Sequence, residues 1–285
     1  MELLWLPFSV ATIALYGLGQ VFAKETRTNV SSANLLVILS ANMFIMWIVY
    51  FLAFRDASIS PSTNSWIYAI VAAGLSGAAY ITFYEALKHG KVSIVGTVAG
   101  AYAPWTVILA LVVLKEPMSL VEGVGVFLVV AAMLIFTYGG EGNGGRRTTL
   151  LGIGFALCSF FFWGTSAAFA KGVITDIGNT NFIGVYALVC PTIWVMYWLT
   201  TERGKFEMPK SNRWILELSM LCFAIGGITY YLAIQNGPVS IVTPITNLYP
   251  LLTIVAAKFR LREQLTFRQY AALAMLLVSI LVFSF

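Results

Sequence analysis

The chain has 285 residues, of which 59% are hydrophobic and 10% are charged, with a formal net charge of +5 at pH 7 and a mean hydropathy of +0.85. Soluble domains carry about 25% charged residues, so too little polar sequence remains here to cover a soluble fold. The composition therefore excludes an ordinary soluble enzyme and indicates a protein embedded in a membrane.

Ten apolar runs follow one another along the chain, each close to the roughly 20 residues that a membrane-spanning helix needs. The runs cover residues 4–23, 33–54, 65–87, 92–114, 119–138, 149–171, 180–200, 214–235, 239–259 and 266–284. They do not alternate as strands of a membrane β-barrel would. No basic segment precedes the first run, so we expect it to belong to the fold and not to a cleaved signal peptide. The sequence predicts an all-α integral membrane protein with ten transmembrane helices.

The sequence repeats itself after 147 residues. YEALKHGKVSIV at 84–95 returns as YLAIQNGPVSIV at 231–242, and 13 of 38 positions are identical between 82–119 and 229–266. We therefore predict a five-helix repeat over residues 1–138, a glycine-rich linker over 139–148 and a second five-helix repeat over 149–285. Because five is odd, the second repeat must enter the membrane from the opposite side.

The basic residues test this inversion independently, because lysine and arginine collect in cytoplasmic loops. Equivalent loops of the two repeats differ in basic count, and the sign of the difference alternates along the chain. With Arg146 and Arg147 of the linker, 14 of the 17 basic residues fall on one side. This predicts a multi-pass protein of the cell (inner) membrane with both termini outside.

Two helix starts carry the same signature in both repeats. Residues 119–122 and 266–269 both match [ST]-x-x-[EQ], the capping-box pattern that satisfies free amides at the start of a helix. Glu116 and Glu263 lie one turn earlier at equivalent places. These glutamates are interpreted either as helix-end hydrogen-bonding groups or as part of a gate.

Three motifs are shared by the repeats. YGLGQVFAK at 16–24 corresponds to WGTSAAFAK at 163–171, GxVSIV occurs at both helix 3/4 and helix 8/9 junctions, and LKEPMS corresponds to LREQLT before helices 5 and 10. Together these motifs resemble the drug/metabolite transporter superfamily, specifically its ten-helix EamA-type carriers. The resemblance covers the whole chain and implies two inverted repeats and transport of a small molecule. It does not specify the substrate, since the superfamily moves amino acids, sugars, nucleotides, amines and drugs. Many of its bacterial members have cytoplasmic termini, from which the charge count here departs.

Helices 4 and 9 are both interrupted by glycine or proline. Helix 4 contains Gly96, Gly100 and Pro104, and helix 9 contains Pro244 and Pro250. A pair of broken helices at corresponding positions is the best sequence indication of a binding site in an inverted-repeat transporter. A kink that serves only helix packing is the alternative interpretation.

Polar and aromatic residues near the middle of the helices are the candidate site. Asn42 is also central but is assigned to hydrogen bonding between helices. Packing in the core is the alternative for the tyrosines. The predicted substrate-binding residues are Tyr16, Gln20, Tyr80, Tyr84, Tyr102, Trp163, Ser166, Tyr230, Asn247 and Tyr249.

No charged residue falls near the centre of any predicted helix. This favours a neutral, aromatic cavity for an apolar or zwitterionic metabolite, or for a quaternary amine held by cation–π contact. Facilitated diffusion or exchange follows more naturally than obligate proton coupling. Cys158, Cys190 and Cys222 are isolated and His89 is the single histidine, so neither a disulfide, a metal site nor a cofactor is expected.

The sequence therefore predicts a secondary transporter that moves a small organic metabolite, such as an amino acid, by alternating access. A lipid flippase or a multidrug or quaternary-amine carrier of the same fold is the alternative, as is a non-transporting membrane scaffold. A membrane enzyme is disfavoured, because no nucleophile–base set is present. The expected partners are the small-molecule substrate and the bilayer, with no nucleic acid, and the chain is either a monomer or a homodimer.

Overall fold

A computed structural model describes residues 4–26, 30–55, 62–90, 95, 98–138, 149–208, 212–252 and 255, together with residues 267, 270, 271, 274, 275, 278, 279 and 282. Within these residues the regular secondary structure is helical and contains no strand. The predicted all-α class is therefore confirmed for the part of the chain that the structure describes.

The described ranges contain nine helices. They are α1 (Trp5–Thr26), α2 (Ser32–Phe54), α3 (Thr63–His89), α4 (Ala103–Val112), α5 (Leu120–Tyr138), α6 (Leu150–Ile177), α7 (Asn179–Thr201), α8 (Arg213–Asn236) and α9 (Val239–Thr246). Of these, α1, α2, α3, α6, α7 and α8 are long and apolar enough to cross a membrane. The described residues from 267 onwards are helical. Predicted helix 10, at 266–284, is therefore described only at these single positions, and its bounds lie outside the described residues.

Hydroxyl side chains begin several of these helices by accepting the hydrogen bond of a free backbone amide. Ser119 and Glu122 form the predicted capping box of α5: Ser119 N–H donates to Glu122 Oε2 (2.7 Å), and Glu122 N–H donates to Ser119 Oγ (3.2 Å). The equivalent box predicted at 266–269 lies outside the described residues. The other caps of this kind are Ser31 for α2, Ser62 for α3 and Thr149 for α6.

Two helices are interrupted, one in each repeat. Residues 98–100 are helical, Ala101 and Tyr102 form a turn, and α4 then begins. In the second repeat α9 ends in a turn at Asn247 and Leu248, after which residues 249–252 are helical again. Ala101 and Leu248 are 147 positions apart, so the breaks predicted in helices 4 and 9 are present at equivalent places.

The repeats pack together through matching helix pairs, α1 against α8 and α3 against α6. The Thr12 and Thr229 hydroxyls are 2.8 Å apart across the first pair, and those of Thr82 and Ser159 are 2.8 Å apart across the second. Thr12 is equivalent to Ser159 and Thr82 is equivalent to Thr229, so exchanging the repeats turns one pair into the other. The same polar contact is therefore made twice, as the internal repeat requires.

A second matching contact defines the direction of these helix pairs. Ser219 Oγ donates to the Gly19 carbonyl (2.7 Å), and Ser166 Oγ donates to the Ala72 carbonyl (2.8 Å). Along α1 the contacts run from Thr12 to Gly19 while along α8 they run backwards. The paired helices are therefore antiparallel.

Two tryptophans also repeat their contact. Trp47 of α2 donates its indole N–H to the Ala224 carbonyl of α8 (2.7 Å), and Trp194 of α7 donates to the Gly77 carbonyl of α3 (3.0 Å). Both indoles are buried. A buried indole N–H needs an acceptor, and both find it on the other repeat.

The α6–α7 connection differs from the prediction. The apolar run ends at Lys171, yet α6 continues to Ile177 and α7 begins at Asn179, with Gly178 alone between them. Gly178 has φ 78°, which favours glycine. Hydropathy decreases after Lys171 while helical hydrogen bonding continues, so Lys171 lies inside a helix and not in a loop.

Candidate functional site

Glycine brings a neighbouring helix against each of the two breaks. A Cβ at Gly17 of α1 would lie 3.2 Å from the carbonyl oxygen of Tyr249, and one at Gly164 of α6 would lie 3.1 Å from that of Tyr102. Gly17 and Gly164 are equivalent, as are Tyr249 and Tyr102. The glycine of the first shared motif therefore lets α1 and α6 approach the backbone of the interrupted helices.

Aromatic rings pack at the same two places. The rings of Tyr16 and Tyr249 meet edge to face with centroids 5.6 Å apart, and those of Tyr102 and Trp163 are 5.8 Å apart. These two contacts also correspond under the 147-residue offset. Tyr16, Tyr102, Trp163 and Tyr249 are all half-buried.

Tyr80 of α3 extends this aromatic arrangement. Its ring meets Trp163 edge to face at 5.2 Å and Trp194 at 5.1 Å. Tyr84 lies one turn further along α3 and is half-buried, and its ring lies 5.7 Å from that of Phe83. The sequence predicted both tyrosines on one face of helix 3, and both retain accessible surface.

Tyrosines from α1, α3, α8 and the two breaks converge, and we call them the tyrosine cluster. Tyr16 of the first repeat meets Tyr249 of the second, and Tyr80 and Tyr102 both contact Trp163. Gln20 forms a side-chain hydrogen bond with Tyr249. The cluster comprises Tyr16, Tyr80, Tyr102, Tyr230 and Tyr249.

Tyr230 and Asn247 are the more deeply buried predicted residues of this region. The Tyr230 hydroxyl lies 3.0 Å from Thr243 Oγ1 of α9. The Asn247 side chain is 4% exposed, and no partner within the described residues pairs with its Nδ2. Eight of the ten predicted residues, all but Tyr84 and Ser166, therefore make up the cluster, contact its rings or hydroxyls, or lie at one of the two breaks.

Ser166 lies at a helix–helix contact and not in the tyrosine cluster. Its side chain is buried and donates to the Ala72 carbonyl of α3, so it joins two helices. The direction in which a serine points from α6 depends on the rotation of that helix against α3. The spacing of residues in the sequence does not carry that information.

Two aromatic residues that the sequence left out belong beside the cluster. Phe83 packs against Trp163 with centroids 5.5 Å apart, and Trp194 packs against Tyr80. Phe83 is the repeat equivalent of Tyr230, and Trp194 is the equivalent of Trp47. The 147-residue offset from Tyr230 is therefore the sequence signal for Phe83, whereas Trp194 has no such signal because Trp47 is not a predicted site residue.

The junction of α8 and α9 is held by two side chains that we call the junction clasp, Glu116 and Lys171. Glu116, before α5, accepts from Val239 N–H (2.9 Å), Ser240 N–H (3.0 Å) and Ser240 Oγ (2.7 Å) at the start of α9. A carboxylate is favourable at a helix N-terminus because its amides are free and its dipole is positive. The interpretation of Glu116 as a helix-end hydrogen-bonding group is confirmed, while Glu263 lies outside the described residues.

Lys171 supplies the complementary half of the junction clasp. Its Nζ donates to the carbonyls of Ile234 and Gly237 at the end of α8, each at 2.8 Å. A cation at a helix C-terminus satisfies carbonyls that have no amide partner within the helix. Glu116 therefore links the first repeat to the second GxVSIV motif, and Lys171 links α6 to the same motif.

The remaining polar groups of interest serve helix packing. Asn42 Nδ2 donates to Glu217 Oε2 of α8 (3.0 Å), so the predicted interhelical role of Asn42 is confirmed. Glu85 accepts from Lys88 at 2.7 Å and from the Tyr197 hydroxyl near the end of α3. These contacts lie away from the tyrosine cluster.

The fold and sequence were compared with known proteins. A crystal structure described only as "Crystal structure of protein" superposes with a TM-score of 0.81 at 15% identity, over 96% of this chain and 94% of that chain, which indicates a shared fold. No curated protein matches the sequence. The EamA-like transporter family matches residues 3–138 and 150–285, so each half of the chain matches it separately. The chain therefore belongs to the EamA-like transporter family and is a multi-pass membrane transporter of the drug/metabolite type.

Proposed function

We propose that the chain is a secondary transporter of a small organic metabolite that is neutral, zwitterionic or amine-bearing. The observation that supports this most directly is the convergence of tyrosines from both repeats beside two broken helices. Broken helices at a repeat interface are where substrates bind in inverted-repeat transporters. Membrane insertion disfavours irregular backbone unless it lines a cavity or is buried in protein.

The chemistry of the tyrosine cluster suits an uncharged or zwitterionic solute, or an amine held by cation–π contact. Its rings offer π faces that attract an ammonium or quaternary amine group, and its hydroxyls donate and accept hydrogen bonds. Gln20 adds an amide beside Tyr249. An ion with a full unpaired charge would find no counter-charge near the centre of the predicted helices.

Transport by rocking of one repeat against the other is consistent with matching helix pairs on both sides of the bundle. The equivalent contacts of α1–α8 and α3–α6 give the two repeats similar interfaces. When one repeat rocks against the other, the contacts of one helix pair can loosen while those of the equivalent pair tighten. We propose facilitated diffusion or exchange as the mode of transport.

A lipid flippase or quaternary-amine carrier of the same fold is the second candidate. The partly exposed aromatic rings of the cluster favour the amine carrier, because a quaternary ammonium group is held by such faces. We also propose that the chain lies in the cell (inner) membrane with both termini outside. This placement rests on the distribution of basic residues along the chain.

Counterflow in proteoliposomes tests the proposal. Vesicles are preloaded with unlabelled amino acids, amines or sugars, and entry of the labelled compound is measured. We expect counterflow for at least one amino acid or amine, and loss of flux by about tenfold in Tyr249→Ala, as expected when roughly 1.4 kcal/mol of site binding is removed.

The matched control is Tyr68→Ala, which removes an exposed tyrosine of α3 at a distance from the cluster. This variant should transport like the unchanged protein. Absence of flux for every compound would overturn the metabolite-carrier proposal. Equal flux in the two variants would remove Tyr249 from the site.

A further inference from the structure

One buried polar group of the candidate site has no hydrogen-bond partner in the part of the chain that the structure describes. Among the described residues, nothing accepts from Asn247 Nδ2, although the side chain is 4% exposed. A buried amide without a partner is unfavourable, and it is more so within the hydrocarbon region, where bulk water is absent. Such a group in a native protein calls for an acceptor that is supplied from elsewhere.

Asn247 lies one helical turn beyond a residue that contacts the tyrosine cluster. Its backbone N–H donates to the Thr243 carbonyl at 3.0 Å, so the helical turn continues to this residue. Residues four apart lie on one face of a helix, and Thr243 meets the Tyr230 hydroxyl on that face. Asn247 therefore follows Thr243 by one turn, on the side of α9 that faces α8.

The equivalent residue of the first repeat is Gly100, which has no side chain. The break in helix 4 therefore has no side-chain amide, whereas the break in helix 9 has that of Asn247. Tyr102 and Tyr249 occur at both breaks, whereas this side-chain donor occurs at only one. An asymmetric donor orients a small solute, because the group that accepts from it must be placed at the α9 side.

We propose that Asn247 Nδ2 donates a hydrogen bond to an acceptor oxygen of the transported solute, a carboxylate or carbonyl oxygen. This inference rests on the proposed transport function and specifies its substrate class further. The rest of the solute lies against the π faces of the tyrosine cluster, which accommodate an apolar or ammonium-bearing body. One end of the solute therefore accepts a hydrogen bond, and the other end makes apolar or cation–π contacts.

Paired probes test the acceptor requirement. Leucine, phenylalanine and glycine betaine are compared with 3-methylbutylamine, 2-phenylethylamine and tetramethylammonium respectively, which lack the carboxylate and have no acceptor oxygen. Counterflow and ligand-induced thermal stabilisation are measured for both members of each pair. We expect the carboxylate member of at least one pair to bind about tenfold tighter or more, as for one charge-assisted hydrogen bond.

Two leucine substitutions separate recognition from packing. Asn247→Leu should erase the difference between pair members and raise the melting temperature of the ligand-free protein, because it removes an unpaired buried donor. Asn42→Leu is the control, because Asn42 Nδ2 already pairs with Glu217 and with the Ile38 carbonyl. It should lower the melting temperature and leave the preference within each pair unchanged.

The outcomes distinguish this inference from the proposed function. A binding preference for carboxylate probes without any flux would overturn transport and retain the role of Asn247. Flux with equal use of both pair members, or an unchanged preference in Asn247→Leu, would overturn the role of Asn247 alone. Failure of every carboxylate probe to stabilise the protein would also overturn it.

Discussion

At the scale of single residues, glycine is used where helices approach the breaks in α4 and α9. Gly164 lies within contact distance of the Tyr102 carbonyl and of Trp105, so a larger side chain has no room. Gly17 does the same in the other repeat. The glycine shared by YGLGQVFAK and WGTSAAFAK is thus needed for helix packing, independently of any substrate.

Gly164→Ala is expected to destabilise the protein. Its new Cβ would lie 2.7 Å from Trp105 Cδ1 and 3.1 Å from a backbone carbonyl, and overpacking of this kind costs about 1–3 kcal/mol. Gly154→Ala on the same helix is the control, since nothing lies within 4 Å of its Cβ. It should be neutral or stabilising by up to about 1 kcal/mol, because alanine favours helix.

Thermal unfolding in detergent, followed by tryptophan fluorescence, measures both variants. The expected order of melting temperatures is Gly154→Ala at or above the unchanged protein, with Gly164→Ala clearly below it. Equal melting temperatures for the two variants would show that α6 does not approach the break closely.

At the scale of helices, hydrogen bonds at helix ends help to determine where each helix begins and ends. The second copy of the GxVSIV motif forms the turn from α8 into α9, where backbone and hydroxyl groups at the two helix ends need partners. Glu116 and Lys171 satisfy five of them through the contacts described above. The clasp therefore determines where α9 starts, eight residues before the break at Asn247.

Glu116→Gln is expected to weaken this start of α9. The amide carries one acceptor in place of two and no charge, and hydrogen bonds to a charged group contribute about 1.5–3 kcal/mol each. Glu122→Gln is the matched control, since a capping box accepts glutamine as well as glutamate. The control should remain within roughly 0.5 kcal/mol of the unchanged protein.

Melting temperatures of the two glutamine variants decide this prediction when they are measured side by side. A decrease confined to Glu116→Gln supports the clasp. A decrease of equal size in Glu122→Gln would mean that loss of any carboxylate near α5 has the same effect, and that the contacts to α9 contribute little.

At the scale of the whole molecule, the 147-residue offset predicted more than the hydropathy pattern did. It predicted the paired breaks, because glycine and proline mark them directly, and it relates contacts such as Trp47–Ala224 and Trp194–Gly77. Hydropathy placed Lys171 at a helix end, since averaging cannot distinguish a loop from a polar turn of helix. The orientation of Ser166 and the missing partner of Asn247 depend on helix rotation, so only three-dimensional packing reveals them.

The orientation of the whole chain follows from charge and can be measured. If basic residues mark the cytoplasm, the segment after α7 is cytoplasmic and the segment between α4 and α5 is external. Cysteines introduced at Glu207 and Pro117 report these two faces, since both positions are exposed and neither change removes a basic residue. Cys158, the exposed native thiol, is replaced by alanine first.

A membrane-impermeant maleimide should therefore label Pro117→Cys in intact cells and label Glu207→Cys only after the membrane is permeabilised. The two positions lie at the ends of an even-numbered and an odd-numbered helix, so alternating spans must place them on opposite faces. The reverse labelling would place both termini in the cytoplasm and overturn the charge argument while keeping the alternation. Labelling of both from outside would contradict the alternation itself, and with it the inverted arrangement of the repeats.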